Sequence, residues 1–472
     1  MRAFALALLL VPGRAPALEG AASKVDITPD LATEKVWIAG FGATGRKPQG
    51  VHDRLYARLL VLREGGRTVA VAAFDVLGLY LGDTEDIRAL WTRGDPSKTL
   101  FVHATHTHSG PDTLGLWGPF IGVSGLNHAW QSRVDRLVAD ELARLEASLR
   151  PATLSGGAGT LDPRGLCRDS RDPQVIDPSL AVLRVKDARG KAIATVVNWS
   201  CHPEVIGRAN KLLTADYPGP LCARVEEKTG GACVFLNGAI GGLMTPDTEK
   251  ETFEEAGRIG AAVADAALAL KAAPGAEKSA LAYRSERVLV PVENSRYLLF
   301  LHALTAGHPL RRADGTPIAS WRAWGLSLRH ALFGLSDADR PRVETEVSVL
   351  DLGPARLLGM PAEIFPELAI GGYDGKYAFG RPVVDPKGPA RDLASAPKGP
   401  YLRDLIRAPV PMLVGLANDE LGYLVPSYDF KVRPGKTMLP RLPGHYEETN
   451  SIGPSATKLL TEAAARLLSE KR

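Results

Sequence analysis

The chain has 472 residues, of which 45% are hydrophobic and 23% are charged, and its formal net charge is +4. This balance is typical of a folded globular protein and excludes the disordered and fibrous classes. Because the net charge is small for the length and no run of Lys and Arg occurs, the sequence gives no reason to expect a nucleic-acid partner. The length allows one large α/β unit or two closely packed lobes.

The N-terminal residues resemble a secretory signal peptide. In MRAFALALLLVPGRAPALEGAAS, one Arg precedes a short apolar run, and small residues and Pro follow it. We therefore expect a signal peptide at residues 1–22, a mature domain at 23–472, and export to the periplasm or out of the cell. The apolar run is shorter than the roughly 20 residues that span a bilayer. A buried N-terminal strand is the alternative interpretation.

Short apolar segments alternate with amphipathic ones along the chain. Segments such as DTEDIRALWTR carry apolar residues at three-to-four spacing and predict helices. This alternation predicts an α/β fold with a large mixed or parallel sheet, helices packed on it, and ligand sites beyond the carboxyl ends of strands. The predicted strands that end abruptly in polar or Gly-rich sequence are RTVAVAAFDVLG, KTLFVHATHTHSG, AIATVVNWSCHP, ACVFLNGAIGG, ARLLGMPAEIF and PMLVGLANDELGY.

The strongest functional signal is HATHTHSGPDT, which directly follows the apolar run TLFV. Because side chains alternate along a strand, His106 and His108 should share one face, whereas His103 should point to the other. Two imidazoles at one strand end predict a metal-binding or catalytic role for His106 and His108. For His103 we expect ordinary packing.

Two further strand ends offer metal ligands. The run AIATVVNW delivers His202 to a strand end and would add a third imidazole to the same site. Glu363, in GMPAEIF, follows an apolar run at a predicted strand-to-helix junction, where a buried carboxylate needs a cation. A helix-start carboxylate that accepts backbone N–H groups is the alternative. Such nitrogen and oxygen ligands, with one position left for water, are typical of hydrolytic zinc sites.

Two segments have the composition of insertions. Residues 296–342 are rich in Leu and aromatic residues with interleaved basic ones, and predict a helical pair. This pair either packs into the core or forms an apolar wall, around Trp321 and Trp324, beside a substrate pocket. Residues 371–402 are rich in Pro, Gly, Lys and Arg and predict a surface loop. The four cysteines show no CxxC spacing, which argues against a thiolate zinc site and leaves disulfide pairing open.

The chain resembles the catalytic domain of the neutral/alkaline, non-lysosomal ceramidases. The resemblance runs from about Gly40 to about Pro454, and the motifs QG-hydrophobic-HD-x-LYAR and THTHSGP are its most specific parts. It implies the fold of that domain and hydrolysis of an amide bond, in ceramide or another N-acyl compound, by zinc-activated water. The matching segments are QGVHDRLYARLLVL, HATHTHSGPDT, CRDSRDPQVIDPSLAVLRVKD, NWSCHPEV, FLNGAIGGLMTP, GMPAEIF and GLANDELGYLVP.

The resemblance also implies which residues bind the metal. His106 and His202 correspond to zinc-binding histidines of the family, and Glu363 corresponds to its carboxylate ligand. Tyr423, in ANDELGY, corresponds to a tyrosine ligand. Zn²⁺ is therefore the expected cofactor.

Catalytic roles are implied for residues beside the metal. His108 corresponds to a histidine next to the reacting centre and could protonate the leaving amine. Tyr423 and Arg168 are candidate donors to the developing oxyanion. Thr245, in GGLMTP, stands where the family has an active-site Ser, and Gly242 lies in the region of a family Asp.

Other departures concern the substrate more than the metal. Cys167 precedes Arg168 where the family has Asn, and the chain ends soon after HYEETNSIGPSAT, so the family's C-terminal immunoglobulin-like domain is expected to be absent. We expect a small-molecule or lipid substrate, peripheral membrane contact if it is a lipid, and no partner protein. The alternatives are a zinc hydrolase of a non-lipid amide or ester, and a non-catalytic binding protein that retains the fold.

Overall fold

The computed structural model of the protein describes residues 18–171, 174–242, 244–273, 281–294, 297, 307–379, 395–432 and 446–470. The strands are β1 (Glu19–Asp26), β2 (Gly50–Val51), β3 (Tyr56–Glu64), β4 (Arg67–Phe74), β5 (Lys98–Ala104), β6 (Arg150–Thr160), β7 (Cys167–Asp169), β8 (Ser179–Asp187), β9 (Ala192–Trp199), β10 (Leu212–Leu213), β11 (Ala232–Asn237), β12 (Met244–Pro246), β13 (Leu281–Pro291), β14 (Leu310–Arg311), β15 (Arg342–Leu352), β16 (Ala355–Gly359), β17 (Glu363–Ile364), β18 (Val410–Val414) and β19 (Tyr423–Leu424). The helices are α1 (Leu81–Thr92), α2 (His128–Ala147), α3 (Pro218–Thr229), α4 (Phe253–Ala269), α5 (Ser320–Phe333), α6 (Pro366–Ile370), α7 (Leu402–Leu405), α8 (Tyr446–Thr449) and α9 (Ser455–Ser469), with a 3₁₀ turn at Ser427–Asp429.

A mixed sheet of eight strands carries one half of the fold. Its order is β11, β9, β8, β6, β1, β3, β4 and β5. The pairs at its two edges, β11 with β9 and β4 with β5, are parallel, and the pairs between them are antiparallel. The predicted mixed α/β sheet is therefore confirmed. Antiparallel pairs dominate because tight turns join several consecutive strands, such as Gly65 and Gly66 with positive φ between β3 and β4.

A second sheet packs against the first. It contains β13, β15, β16 and β18 in that order, with β14 on β15, and β16 and β18 are parallel. Phe101 and Leu236 of the large sheet share a buried cluster with Leu350, Leu357 and Met412 of the second sheet. The outer faces are also apolar and are covered by helices: α1 and α2 pack on β1, β3 and β5, α3 and α4 on β8, β9 and β11, and α9 on β13 and β15. Burial on both faces explains why strands such as β4 are almost continuously apolar.

Buried polar side chains tie together the carboxyl ends of β5, β11 and β18. The Nδ1–H of His103 donates to the Gly415 carbonyl over 3.0 Å, and its Nε2 accepts the Asn237 N–H over 2.9 Å. Asn418 accepts the Val102 N–H through Oδ1, also over 2.9 Å. The side chain of His103 thus points away from His106 and His108, as strand alternation predicts, and it bonds to the two neighbouring strand ends.

Strand β1 extends across the expected end of the signal peptide at residue 22. Residues 19–22, which the sequence assigns to the signal peptide, pair with residues 60–63 of β3. A Cβ on Gly20 would lie 3.0 Å from the Leu62 side chain, so the small residues that resemble a cleavage site also allow close sheet packing. A boundary after residue 22 would divide this strand. Residues 1–17, the rest of the expected signal peptide, lie outside the described residues.

The two predicted insertions are described only in part. Within 296–342 the structure contains β14 and helix α5, whereas residues 298–306 lie outside the described part. Trp321 and Trp324 lie on α5, but their side chains are outside it as well, so their place beside the pocket stays a prediction. Within 371–402, residues 380–394 are not described. The four cysteines are buried free thiols, and no described helix has the length and apolarity needed to cross a bilayer.

Candidate metal centre and substrate cleft

Three buried imidazoles converge where strand ends of the large sheet meet. His106 and His108 follow β5, and His202 follows β9. Each offers one ring nitrogen, and these nitrogens lie within 4.8 Å of one another. The ring centroids are 5.0 to 5.5 Å apart. Such a group could bind a metal ion.

A strained turn brings His106 into this group. Its φ of 71° lies in the left-handed region that non-glycine residues rarely adopt. The His106 N–H donates to the Val76 carbonyl over 3.0 Å, and its Nδ1–H donates to the Leu77 carbonyl over 2.7 Å. Because β5 ends at Ala104, His106 and His108 reach the site through this turn. Regular strand alternation does not extend to them.

The hydrogen bonds of His106 and His202 fix their tautomers. Nδ1 of His106 faces the Leu77 carbonyl, and Nδ1 of His202 faces the Met244 carbonyl over 2.9 Å. A carbonyl oxygen only accepts, so both Nδ1 atoms carry hydrogen and a neutral ring leaves Nε2 as a lone pair.

Both Nε2 atoms face one carboxylate oxygen. Oε2 of Glu363 lies 3.0 Å from Nε2 of His202 and 3.6 Å from Nε2 of His106. Two lone pairs and a carboxylate that face one another repel unless a cation lies among them. The arrangement of these three side chains therefore fits a metal ion such as zinc.

Burial and neighbouring charges set the protonation of the group. Burial lowers the pKa of His106 to about 4 and the pKa of His108 well below its usual value. Burial also opposes a charge on His202, but its hydrogen bond to Glu363 and the negative charge of Glu204 outweigh this and raise its pKa. Burial would raise the pKa of Glu363, but the facing imidazoles and the Tyr423 hydroxyl hold it below its usual value. Without a metal, a proton on Nε2 of His202 is therefore favoured beside the ionised Glu363 carboxylate, and a divalent cation would bind in place of that proton.

Glu363 and Tyr423 are neighbours in a short parallel ladder. They are paired residues of β17 and β19, and the Tyr423 hydroxyl lies near enough to the Glu363 carboxyl group to help lower its pKa. Burial raises the pKa of Tyr423 well above its usual value, and the charge of Glu363 adds to this rise. Helix α6 begins only at Pro366, with Phe365 as its N-terminal cap, so the Glu363 side chain faces the histidines and does not cap a helix.

Arg168 and Thr245 lie one layer behind the imidazoles. They are opposite residues of the antiparallel pair β7 and β12. The nearby Thr245 hydroxyl and the positive charge of Arg168 both act to lower the pKa of the Glu204 carboxyl group. Oε2 of Glu204 in turn lies 3.4 Å from Nδ1 of His108. Neither Arg168 nor Thr245 is among the described residues that line the cleft, so both reach the site through Glu204.

Sequence reasoning missed the role of Glu204. Burial raises the pKa of this carboxyl group, although His202 and Thr245 oppose the rise. The residue stands two positions after His202 in NWSCHPEV. An acidic residue directly after a Pro at a histidine-bearing strand end was the available signal.

Packing holds the ring of His108, with Nδ1 turned toward Glu204 at 3.4 Å. Neither of its ring nitrogens has a hydrogen-bond partner among the described residues. Phe41 contacts the ring edge to face at 4.8 Å between centroids. Gly40, at a φ of 106°, lies so close that a Cβ there would be 2.6 Å from the ring. His108 therefore keeps both nitrogens available at the floor of the cleft.

The cleft above the histidines has mostly apolar walls. Its cavity volume is about 200 Å³, and His106, His108, Glu363 and Tyr423 are among its lining residues. Its apolar and aromatic lining residues are Leu77, Tyr80, Leu114, Leu116, Trp117, Ile121, Tyr297 and Tyr446. A polar floor under apolar walls suits a substrate with a hydrolysable polar group and a hydrocarbon part.

Known proteins with similar sequences include two neutral ceramidases. The chain is 26% identical to the neutral ceramidase of Pseudomonas aeruginosa over 241 residues, which is 47% of this chain and 36% of the relative. It is 25% identical to the neutral ceramidase of Mycobacterium tuberculosis over 231 residues, which is 44% of this chain and 35% of the relative. The matched segment thus spans about a third of the length of each relative. No protein-family model matches the chain.

Solved structures give a wider match. The crystal structure of neutral ceramidase from Pseudomonas aeruginosa superimposes with a TM-score of 0.64 and 18% identity, covering 96% of this chain and 75% of that chain. A structure titled "Ceramidase complexed with C2" gives a TM-score of 0.63 and 17% identity with the same coverage. The first comparison confirms the predicted fold class. The resemblance inferred from the sequence is confirmed: this chain is similar in sequence and in fold to the neutral ceramidases.

Proposed function

We propose that this protein is a zinc-dependent amidohydrolase that cleaves the amide bond of a ceramide or another N-acyl lipid. One observation carries the proposal: the Nε2 atoms of His106 and His202 face one oxygen of Glu363 at the floor of an apolar cleft. The names of the similar proteins support the substrate class.

Four side chains would hold the metal in the proposed centre. His106, His202 and Glu363 face one another, and Tyr423 is the residue paired with Glu363 in the strand ladder. Zinc, when bound there, would supply a Lewis acid for activating water and polarising the scissile carbonyl. The carbonyls of Leu77 and Met244 hold the two imidazoles in the tautomer that binds a cation.

The remaining polar residues would handle protons and developing charge. His108 has ring nitrogens without a hydrogen-bond partner among the described residues, and its lowered pKa keeps the ring neutral before reaction; a proton that it takes up would therefore pass readily to the leaving amine. Glu204, 3.4 Å from Nδ1 of His108, would orient the ring and stabilise its protonated form. Thr245 and Arg168 would act by holding Glu204 in place. The apolar walls would exclude bulk water from the reacting bond.

His108 distinguishes two ligand sets. With His106 and His202 it forms a cluster of three imidazoles, whereas the proposed set replaces it with Glu363 and Tyr423. In the proposed set, a His108→Ala protein keeps its zinc and loses turnover. Loss of zinc from His108→Ala would favour the three-histidine set.

An exposed apolar loop at the cleft mouth supports contact with a membrane. Residues 117–124 include Phe120, Ile121 and Val123, which are 72%, 64% and 44% exposed, and Ile121 also lines the cleft. The loop packs on the segment around Arg46 through a Gly45 N–H to Gly118 carbonyl bond of 2.8 Å. Around that segment, basic residues are exposed at Lys47, Arg208 and Lys211. Apolar residues beside basic ones suit an anionic bilayer surface.

Vesicle binding tests this contact. We expect Ile121→Asp to weaken co-sedimentation with anionic phospholipid vesicles by about tenfold, since burying one large side chain contributes ~1.5–3 kcal/mol. Hydrolysis of a short-chain, water-soluble substrate should fall by a smaller factor than vesicle binding, because Ile121 also lines the cleft. Equal vesicle binding by the wild type and Ile121→Asp would refute the contact. Export, expected from residues 1–22, stays a prediction.

The central experiment measures turnover of a fluorescent N-acylsphingosine and bound metal together. Purified wild type is compared with His106→Ala and with His128→Ala, a control at an exposed histidine of α2. Zinc-dependent turnover that disappears only in His106→Ala would support the proposal. Bound zinc without turnover would favour the second candidate, a hydrolase of another amide or ester. A purified wild type that binds no zinc would contradict the metal centre.

A further inference from the structure

The pair His52 and Asp53 lies outside the cleft. It belongs to the motif QGVHDRLYAR, which contributes no ligand to the proposed metal centre. Both residues line a separate depression with residues 28–32, and neither is among the described residues that line the cleft. The His52 ring stacks on Phe253 with 3.5 Å between centroids, and its Nδ1 lies 2.8 Å from Oδ1 of Asp53. The role of this pair must therefore follow from its contacts with the protein.

Both residues hold residues 210–216, which we call the bridging segment. The His52 N–H donates to the Leu213 carbonyl over 2.9 Å, where β2 pairs with β10. Oδ2 of Asp53 accepts the Ala215 N–H over 3.0 Å. The Asp53 side chain, oriented by its contact with the stacked imidazole, thus fixes the backbone of the bridging segment at Ala215.

The other side of the bridging segment bonds to the turn that carries the two histidines of THTHSG. The Thr107 hydroxyl donates to the Thr214 carbonyl over 2.9 Å, and the Thr214 N–H donates to the Ser109 carbonyl over 3.2 Å. The Asn210 side-chain amide donates to the Ser109 hydroxyl over 3.0 Å. Thr107, Ser109 and Thr214 are all buried. The bridging segment therefore lies between the His52 and Asp53 pair and the histidine turn.

One peptide group connects Asp53 with Thr107. The Thr214 carbonyl and the Ala215 N–H belong to the same trans peptide bond, which is planar, so its two polar atoms point in opposite directions. The carbonyl accepts the Thr107 hydroxyl, and the N–H donates to the Asp53 carboxylate. An acceptor at the N–H polarises the peptide group and strengthens the hydrogen bond at its carbonyl. Loss of the Asp53 side chain should therefore loosen the partner of Thr107.

The histidine turn needs such support because its backbone is strained. His106, at a φ of 71°, adopts a conformation that persists only where the surrounding structure fixes it. The carbonyls of residues 76 and 77 hold His106 on one side. On the other side, the His108 N–H donates to the Pro203 carbonyl over 3.0 Å, and Thr107 bonds to the bridging segment. The relative position of the two imidazoles therefore depends on the bonds of both sides.

We propose that Asp53 is a positioning residue of the active site: by holding the bridging segment against Thr107, it fixes the turn of His106 and His108. This inference rests on the proposed hydrolase function, because it names a residue that supports the reacting groups. A displacement of about 1 Å can lower a rate about 100-fold, and loss of one supporting bond should cost roughly tenfold in kcat. KM should stay within about twofold, because Asp53 lies away from the described cleft walls.

Matched variants test the role of Asp53 with a fluorescent N-acylsphingosine. Asp53→Ala removes the acceptor, whereas Asp53→Asn keeps a carbonyl oxygen for the Ala215 N–H. Asp187→Ala is the control, since Asp187 also accepts backbone N–H groups, at the β8–β9 turn and thus at the end of β9 opposite His202. We expect kcat per folded, zinc-loaded molecule to fall roughly tenfold in Asp53→Ala, by less than about threefold in Asp53→Asn, and not in Asp187→Ala. Unchanged kcat in Asp53→Ala would overturn the proposal.

A double variant separates positioning from a general loss of stability. Thr107→Val removes the hydroxyl with little change in volume and should also lower kcat. If Asp53 acts through this hydroxyl, the two losses overlap, and Asp53→Ala/Thr107→Val should be about as active as the less active single variant. Losses in kcat that multiply would show that Asp53 acts by another route and would overturn the proposal.

Hydrogen exchange of the metal-free protein tests the same route without turnover. Amides of residues 105–110 should exchange roughly tenfold faster in Asp53→Ala and Thr107→Val than in the wild type, and at the wild-type rate in Asp187→Ala. If the wild type cleaves no N-acyl lipid, the proposed activity fails, but faster exchange there would still support the positioning of the turn, and unchanged exchange would refute it. If thermal unfolding shows that Asp53→Ala is not folded, Thr107→Val decides: unchanged exchange and kcat would refute the link, and changes in both would support it.

Discussion

Two sets of buried histidines in this protein differ in how their nitrogens are used. His103 and His308 lie in the core and bond to groups of the fold: His103 to Gly415 and Asn237, and His308 to Asp419. His106 and His202 bond to the fold only through Nδ1, and their Nε2 atoms face a carboxylate. Burial is the same in both sets. The orientation of the second nitrogen separates a structural histidine from a candidate ligand.

The largest effect should follow removal of the shared carboxylate. Glu363→Gln keeps the size of the side chain but removes the charge that both Nε2 atoms face. We expect zinc content to fall below stoichiometric and kcat/KM to fall by more than about 100-fold, because even partners of metal ligands cost 10- to 100-fold when they are removed. Metal analysis and turnover on the same sample check this. Full zinc occupancy in Glu363→Gln would show that the three imidazoles suffice.

Loss of a structural histidine should lower the stability of the fold by more than loss of a candidate ligand does. His103→Ala leaves the Asn237 N–H and the Gly415 carbonyl buried without a partner. We expect the free energy of unfolding to fall by about 2–4 kcal/mol. Denaturant unfolding of metal-free protein measures this, with His106→Ala as the comparison that should lose much less stability. If metal-free His103→Ala were as stable as the metal-free wild type, the distinction between the two sets of histidines would not hold.

Removal of the Glu204 charge should lower turnover and leave metal binding unchanged. Glu204→Gln removes the charge beside His108 but leaves His106, His202 and Glu363 unchanged. We expect a 10- to 100-fold loss in kcat with normal zinc content, since the residue orients a catalytic group and does not bind the metal. A matched Thr245→Val change should give a smaller loss in the same direction. Loss of zinc from Glu204→Gln would instead make Glu204 part of the metal centre.

The effect that should leave turnover unchanged concerns the pH dependence of stability at Asp83. Burial raises the pKa of Asp83 to about 7, from an ordinary value of 3.8 in the unfolded chain. The folded state therefore binds more protons between these values, and this contribution to stability is full below pH 3.8 and is lost as the pH rises toward 7.

Asp83→Asn should remove this pH dependence of the free energy of unfolding, whose slope is at most about 1.4 kcal/mol per pH unit. Chemical unfolding of the wild type and the variant at several pH values between 4 and 8 checks the prediction. Parallel stability curves would contradict it. Turnover per folded molecule should not change, because Asp83 is not among the described residues that line the cleft.

The candidate site could be predicted because its residues stand in short motifs at strand ends. HATHTHSG, NWSCHPEV and GMPAEIF each follow an apolar strand, and the carboxyl ends of β5, β9 and β16 meet in the structure. His106 and His108 lie together, but the strand alternation that predicts this does not extend to them. They share the site because a left-handed turn at His106 brings them there, and backbone strain of this kind leaves no pattern in a sequence.

Parts of the fold were harder to predict for physical reasons. Alternating strand and helix segments favour parallel sheets, but the tight turn at Gly65 and Gly66 reverses the chain and makes an antiparallel pair. Residues 20–22 are small, which is typical both of a signal-peptide cleavage site and of a closely packed strand, so their composition does not distinguish the two. A single carboxylate such as Glu204 carries no motif of its own, and only the tertiary structure shows which groups it contacts.

The positions of the proposed ligands also bear on how the protein acquires its metal. His106, His202, Glu363 and Tyr423 come from distant parts of the chain and meet only when both sheets are assembled. Contacts of such long sequence separation form late in folding. Zinc affinity would then report complete folding. Fragments that lack either sheet should bind the ion no better than an unfolded chain does. Metal uptake during refolding should occur after the helices have formed.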